Sequence, residues 1–229
     1  MAEDDRPPAG ALSDVTTGLY MITAVCGLVD AACFLALGGV FAEMMTGNLL
    51  LLSLSLGAGM VLGDSLRYGT AIAAFVLGAL LGGRLLRGPQ KLRERRIGFA
   101  VEGVVLLAAT ATAWLAAPDA HNAAGHALVG LLAFAMGIQN AMVRVHGVPD
   151  LATNVMTVTF TGLIADSTPA GGDNTNWRRR ALSIGLFMTS AALGAALLPF
   201  GIGWPLSLAT AIFGLAMRPL LYGRHPLGK

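Results

Sequence analysis

The strongest chemical signal in this chain is an aspartate inside an apolar run. Asp30 lies within the stretch 15–38, where a charged side chain costs about 2.5–3.5 kcal/mol on insertion scales if the stretch crosses a bilayer. Such a residue serves as a cation or proton site, or it hydrogen-bonds backbone loosened beside Gly27 and Gly38-Gly39. The turn Thr46-Gly47-Asn48 is the second signal. Glycine lets the chain break there, and a half-helix starting at that point would aim N–H groups and a positive dipole end at an anion or polar substrate. Equally, Thr46 or Asn48 can cap the Leu-rich helix that follows.

Two further groups share this polar character. Thr153, Thr157 and Thr161 recur every fourth residue and therefore occupy one helical face, with Asn154 beside them. A hydroxyl stripe lines a watery path, or it bonds its own carbonyls and joins two helices. Gln139, Asn140, Arg144, His146 and Asp150 form a cluster running into the turn at Pro149. An Arg144–Asp150 link at a helix end is its ordinary reading, and anion gating is the other. The residues expected to bind a substrate or ion are Asp30, Thr46, Asn48, Gln139, Asn140, Thr157 and Thr161. Glu102, one turn inside its apolar stretch, is expected to pair with the adjacent basic loop.

Other chemistries lack their residues. There is no Walker A loop, HExxH, GxSxG or paired CxxC, and His121 and His126 do not share a helix face. The sequence therefore implies no enzymatic activity, no cofactor and no metal site. Cys26 and Cys33 are seven apart, about 10 Å along a helix axis, too far to bridge each other. They read as packing residues.

The elements that must position these groups follow from composition. Of 229 residues, 55% are hydrophobic and 12% charged, against about 25% charged in an ordinary soluble domain. A water-soluble enzyme is excluded, and an integral membrane protein is indicated. The net charge of +2 is too small to suggest nucleic acid. The first ten residues, MAEDDRPPAG, are acidic and lack the basic n-region of a signal peptide.

Eight apolar stretches are marked, at about 15–38, 44–62, 68–87, 97–117, 123–145, 152–166, 181–199 and 203–218. Six suit full crossings. The stretch 44–62 begins with the polar cluster Thr46-Gly47-Asn48, and 152–166 is threonine-rich and only about 15 residues long; such segments are tolerated at membrane depth when buried in protein or lining a cavity. Charge supports this division. Arg84, Arg87, Lys91, Arg93, Arg95 and Arg96 mark the 87–97 loop as cytoplasmic by the positive-inside rule. If all eight stretches cross, Arg178-Arg179-Arg180 and the basic C-terminus fall outside. If the two odd stretches re-enter instead, only Arg67 is stranded.

Self-comparison adds an internal repeat. Gly27-Leu-Val-Asp-Ala31 resembles Gly137-Ile-Gln-Asn-Ala141, Met45-Thr-Gly-Asn-Leu49 resembles Phe160-Thr-Gly-Leu-Ile164, and Phe75 with Gly78-xxx-Gly82 resembles Phe187 with Ser190-xxx-Gly194. The offsets are 110, 115 and 112. With three crossings per copy the second copy is inverted, an arrangement that transporters use to build a site between repeats. The small-residue pairs read as close helix contacts, within one chain or between copies in a homo-oligomer. The expected organisation is an acidic tail 1–14, a first membrane repeat 15–117, a second repeat 123–218 and a tail 219–229.

The segments Gly27-Leu-Val-Asp-Ala31, Phe34-Leu-Ala-Leu-Gly-Gly-Val-Phe41 and Met45-Thr-Gly-Asn48 resemble the first signature of the YoaK-like bacterial membrane proteins. The partner signature resembles Gly137-Ile-Gln-Asn-Ala141, Gly147-Val-Pro-Asp150 and the threonine run to Thr161-Gly162. The resemblance covers about residues 15–218. It implies a multi-pass bacterial inner-membrane protein of about six spans, and it implies no activity or substrate. Glu43 departs from the less charged residue expected before the Met-Met-Thr run.

The expected fold is thus an all-α polytopic transmembrane helix bundle, with about six spans, two re-entrant or broken segments and an inverted repeat. Its expected function is a small secondary transporter or channel-like carrier, with the lipid bilayer and an unidentified small molecule or ion as partners. A non-transporting scaffold or sensor is the alternative, and an intramembrane enzyme has no nucleophile–base pair to support it.

Overall fold

The computed structural model describes residues 14–59, 62–87, 91–144 and 156–223. They form eight α-helices: α1 Asp14–Ala36, α2 Met45–Gly57, α3 Leu62–Leu85, α4 Lys91–Leu115, α5 Ala123–Val143, α6 Met156–Ala165, α7 Trp177–Leu197 and α8 Gly203–Tyr222. No strand occurs among the described residues. Each apolar stretch of the sequence has become one helix. His146, Asp150, Thr153 and Asn154 lie outside the described residues.

Length separates the helices into two classes. Six have 20 to 25 residues, which at 1.5 Å per residue reaches about 30 Å, the depth of a hydrocarbon core. All six are apolar enough to cross a membrane. The 13 residues of α2 and 10 of α6 reach only about 20 Å and 15 Å. Neither spans. The chain is an all-α polytopic bundle, and it is a multi-pass integral membrane protein.

Two spans lie at the centre. α1 and α5 bury 67% of their apolar windows, whereas the other four bury 17–33%. Each central helix packs most closely on spans from the other half of the sequence: α1 on α7 and α8, and α5 on α3 and α4. Small residues permit the approach. A Cβ on Gly27 would overlap Ser190 and the Phe187 carbonyl, and one on Gly137 would overlap the Phe75 carbonyl. Gly78 faces Phe134 in the same way, and Gly194 abuts Leu28. The two small-xxx-small pairs therefore act inside the chain.

Side-chain contacts fix the directions. Tyr20 donates to the Arg179 carbonyl at 3.5 Å, and Gly194 meets Leu28 and Ala31, so α1 and α7 run parallel. Thr70 lies beside Gly130 and Ala141 beside Gly82, so α3 and α5 also run parallel. α4 and α8 are antiparallel: Arg95 donates to the Leu220 carbonyl at 2.8 Å, the Thr110 and Thr210 hydroxyls are 2.8 Å apart, and Trp114 donates to Ser207 at 3.0 Å. Gly18 of α1 abuts Leu220 of α8, and Gly98 of α4 abuts Met142 of α5. Hence α1, α4 and α7 point one way and α3, α5 and α8 the other. α2 joins two antiparallel spans, so its excursion starts and finishes at one end of the bundle. α6 does the same at the opposite end.

Charge follows this division. Arg84, Arg87, Arg95, Arg96, Arg178, Arg179 and Arg218 gather at the end where α1, α4 and α7 begin. Arg67 sits at the other end, where it is buried and donates to the Ala120 carbonyl at 3.1 Å. This is the distribution expected for six crossings.

The break after α1 is local in origin. Gly38 and Gly39 have φ of 82° and 75°, a left-handed conformation that glycine adopts without a Cβ clash. The chain then turns back along α1, and the Phe34 and Phe41 rings stack with centroids 4.9 Å apart. That return brings residues 41–48 back to the level of Asp30.

Candidate functional site

A cavity of about 420 Å³ opens between the two short helices, lined by Glu43, Met44, Met45, Thr46, Gly47, Phe75, Asn140, Met156, Thr157 and Phe187. α2 begins at Met45-Thr46 and the described part of α6 at Met156-Thr157, so the N-terminal ends of both face one space. The first N–H groups of a helix have no intrahelical acceptor, and the dipole there favours negative or polar groups. Phe75 and Phe187, near the middles of α3 and α7, supply apolar walls.

Asp30 holds the entrance to α2. Its Oδ1 accepts hydrogen bonds from the backbone N–H groups of Ala42 and Glu43 at 2.8 and 2.9 Å, while its Oδ2 has no hydrogen-bond partner. Asn48 holds the same strip from the opposite side. Its Oδ1 accepts from the Phe41 N–H at 3.0 Å and its Nδ2 donates to the Phe41 carbonyl at 2.7 Å. One carboxamide thus replaces both backbone partners that an extended residue lacks. Neither Asp30 nor Asn48 is among the cavity-lining residues.

The capping reading of Thr46-Gly47-Asn48 does not hold. The helix starts one residue earlier, its cap is Met44, and no side chain caps it. Thr46 is instead exposed on the cavity wall. Thr157 is exposed on the same wall from the other side. Thr161, one turn further along α6, is exposed but does not line the cavity, and the buried hydroxyl of that helix belongs to Thr159. Among the described residues, the threonine stripe therefore contributes one cavity residue.

On α5, adjacent residues diverge. Asn140 reaches the cavity, donating to the Met136 carbonyl at 2.9 Å and to Glu43 Oε1 at 3.4 Å. Gln139 points toward α1, where Nε2 donates to Cys26 Sγ at 3.2 Å and Oε1 has no partner. Arg144 is exposed at the C-terminal end of α5.

Two carboxyls outside the expected set complete the picture. Glu43 is 6% exposed and lines the cavity. Its signal in the sequence was its unexpected charge within the motif. Glu102 is fully buried on α4, and both its oxygens lack hydrogen-bond partners. The expected pairing with the basic loop is absent among the described residues. Buried cations are engaged elsewhere: Arg180 donates to the Gly162 carbonyl at 2.6 Å and to Asp166 at 2.7 Å, tying α6 to α7.

Outside the spans, two aspartates brace loops at opposite ends. The backbone N–H of His121 holds the Asp119 carboxyl below the usual range. The Thr175 hydroxyl and N–H do the same for Asp173. No group of three His, Cys, Asp or Glu residues that could hold a metal ion occurs among the described residues.

A family model described as a protein of unknown function, DUF1275, matches residues 18–218. The chain is similar to the UPF0700 transmembrane protein YoaK of Bacillus subtilis (strain 168), at 28% identity over 163 residues, which covers 69% of this chain and 68% of that protein. No solved structure gives a significant match.

Proposed function

The chain belongs to the DUF1275 family of unknown function, a premise that supplies no activity, and we propose that it is a small secondary transporter or channel-like carrier. The carrying observation is the cavity where the starts of α2 and α6 converge between six spans. Its substrate or ion contacts are Thr46, Thr157, Asn140 and Glu43, with Asp30 and Asn48 positioning the α2 side. The substrate is a small polar molecule or ion. Helix-start N–H groups and hydroxyls bind its polar part, and Phe75 and Phe187 flank it.

An inverted repeat supports this reading. Pairing α1 with α5, α2 with α6, α3 with α7 and α4 with α8 turns each major packing contact into another one: α1 on α7 becomes α5 on α3, and α1 on α8 becomes α5 on α4. The paired spans run in opposite directions. The short helices give the register, since Met45-Thr46 and Met156-Thr157 are 111 residues apart, between the flanking offsets of 110 and 112. The match of Met45-Thr46-Gly47 with Phe160-Thr161-Gly162 at offset 115 is replaced by this one. Broken helices meeting between inverted repeats form the substrate sites of many transporters. By the positive-inside rule the basic end is the cytoplasmic end, and the likeness to a Bacillus subtilis transmembrane protein supports a bacterial cell membrane.

The scaffold or sensor alternative draws on Asp30 and Asn48, whose polar atoms hold backbone rather than face the cavity. Thiol labelling separates the two readings. Thr46→Cys and Thr157→Cys, made in a background lacking Cys26 and Cys33, are treated in membrane vesicles with an impermeant maleimide. A carrier exposes both positions to an aqueous side, so both label. If neither labels, the cavity is sealed and the transport reading fails.

A further inference from the structure

Among the described residues, the cavity between α2 and α6 is lined by one acidic side chain and by no cationic one. The acid is Glu43, 6% exposed, whose Oε1 faces the neutral Asn140 amide at 3.4 Å. Asp30, which accepts from the Glu43 backbone N–H, adds a second acid to the same connection. The buried cations are engaged elsewhere, Arg67 at the Ala120 carbonyl and Arg180 at Gly162 and Asp166. A carboxylate at membrane depth is costly without a cation, and here the chain places none on the cavity wall. A positively charged ligand supplies the missing partner.

The rest of the wall narrows the kind of cation. Its 420 Å³ is room for about fourteen waters, far more than a bare ion fills. Hard metal ions also need about six oxygen ligands, and no group of three His, Cys, Asp or Glu residues converges among the described residues. The remaining surface is largely apolar and polarizable: Phe75, Phe187, Met44, Met45 and Met156. Packing sets the depth of both rings. The Phe75 carbonyl abuts Gly137, one turn before Asn140 on α5, and the Phe187 carbonyl abuts Gly27, one turn before Asp30 on α1. Aromatic faces attract cations, and thioethers adapt to irregular apolar groups. The N-terminal ends of α2 and α6 suit an anion, but an anion in this space meets the Glu43 carboxylate.

We propose that this cavity binds an organic cation, an ammonium or guanidinium group carrying apolar substituents, with its charge at Glu43 and its substituents against Phe75 and Phe187. The Thr46 and Thr157 hydroxyls and the α2 end receive whatever uncharged polar group the solute carries. Asp30 stays the clamp on Ala42 and Glu43 and so sets where the Glu43 side chain departs. This ligand class deepens the carrier reading and rests on it only for access to the cavity from water.

Equilibrium dialysis of the purified full chain in an uncharged detergent tests the site, with phenyltrimethylammonium as the probe because its charge is fixed at every pH. Binding beyond that of empty micelles should saturate. Glu43→Gln, which keeps the side chain's size and removes its charge, should weaken it about thirtyfold or more. Phe75→Leu and Phe187→Leu should each weaken it about threefold, and they carry the test if Glu43→Gln fails to fold. Benzoate and sodium ion at equal concentration should not displace the probe. The assignment is overturned if the native protein shows no saturable binding, if Glu43→Gln binds as well as the native chain, or if both leucine variants do. Displacement by benzoate would make the cavity an anion site, displacement by sodium a bare-ion site, and stronger binding of zwitterionic phenylalanine a zwitterion site, each of which overturns it too. Saturable binding in a protein whose Thr46→Cys and Thr157→Cys positions stay unlabelled would uphold the cation site and reject the carrier. Labelling without binding would reject the cation and leave the carrier standing.

Discussion

Asp30 and Asn140 occupy matching places on the two central helices, 110 residues apart, yet they do different things. The carboxylate grips two backbone N–H groups of the connection into α2. The carboxamide holds its own helix at Met136 and reaches across to Glu43. The same contrast runs through the two parts of the chain. Among the described residues, the buried acids Asp30, Glu43 and Glu102 all precede residue 116, while the buried polar residues after it include Gln139, Asn140, Thr159, Arg180, Ser183 and Ser190. The scaffolds resemble each other, and the chemistry does not. A shared packing plan can therefore carry a charged wall facing a neutral one.

The glycine contacts give the sharpest test of the shared scaffold. Gly27→Leu on α1 and Gly137→Leu on α5 each drive a side chain into the carbonyl of a neighbouring span. Overpacking of this kind costs about 1–3 kcal/mol where the site can relax and more where it cannot. Both variants should lose the folded peak in detergent size-exclusion chromatography. Unequal damage would break the correspondence. Next comes the chemical contrast itself. Asp30→Ala strands two buried N–H groups at about 1–3 kcal/mol each, whereas Asn140→Ala removes one bond to its own helix and a long contact to Glu43. Thermal melting should therefore fall further for Asp30→Ala, and equal losses would show that Asp30 is no special clamp.

The loop aspartates should give the smallest effect. Asp119 and Asp173 have carboxyls held below the ordinary value. Their contribution is present above the unfolded value and fades as pH falls through the lower folded one. Asp119→Asn and Asp173→Asn should flatten the acid side of the melting profile slightly and alike, although they lie at opposite ends. A large effect at one end alone would add a second asymmetry.

Much of the fold was legible in the sequence because membrane constraints act on length and charge, both visible residue by residue. The eight stretches, six spans and stranded Arg67 follow from those alone. The site was less legible. Asn48 could be seen as polar at a break, but its match to both backbone groups of Phe41 depends on how the chain returns after Gly38 and Gly39. Glu43 stood out only as an odd letter, since its burial comes from α5 and α1. Glu102 was assigned to the nearby basic loop by sequence distance, whereas packing against neighbouring helices set its surroundings. For the proposed repeat, a Thr-Gly identity at offset 115 competes with a Met-Thr pair at offset 111, and sequence letters alone do not choose between them.

The partnership of α1 with α7 reaches across much of the chain, as the bond from Tyr20 to the Arg179 carbonyl illustrates with its ends 159 positions apart. α5 meanwhile packs on α3, which precedes it. Each part of the chain thus lends its central helix to the other, like two clasped hands. During synthesis α1 enters the membrane long before the helix that will cover its glycine face exists. Assembly has to keep that face waiting until nearly the last span has emerged, so neither half is a finished object alone.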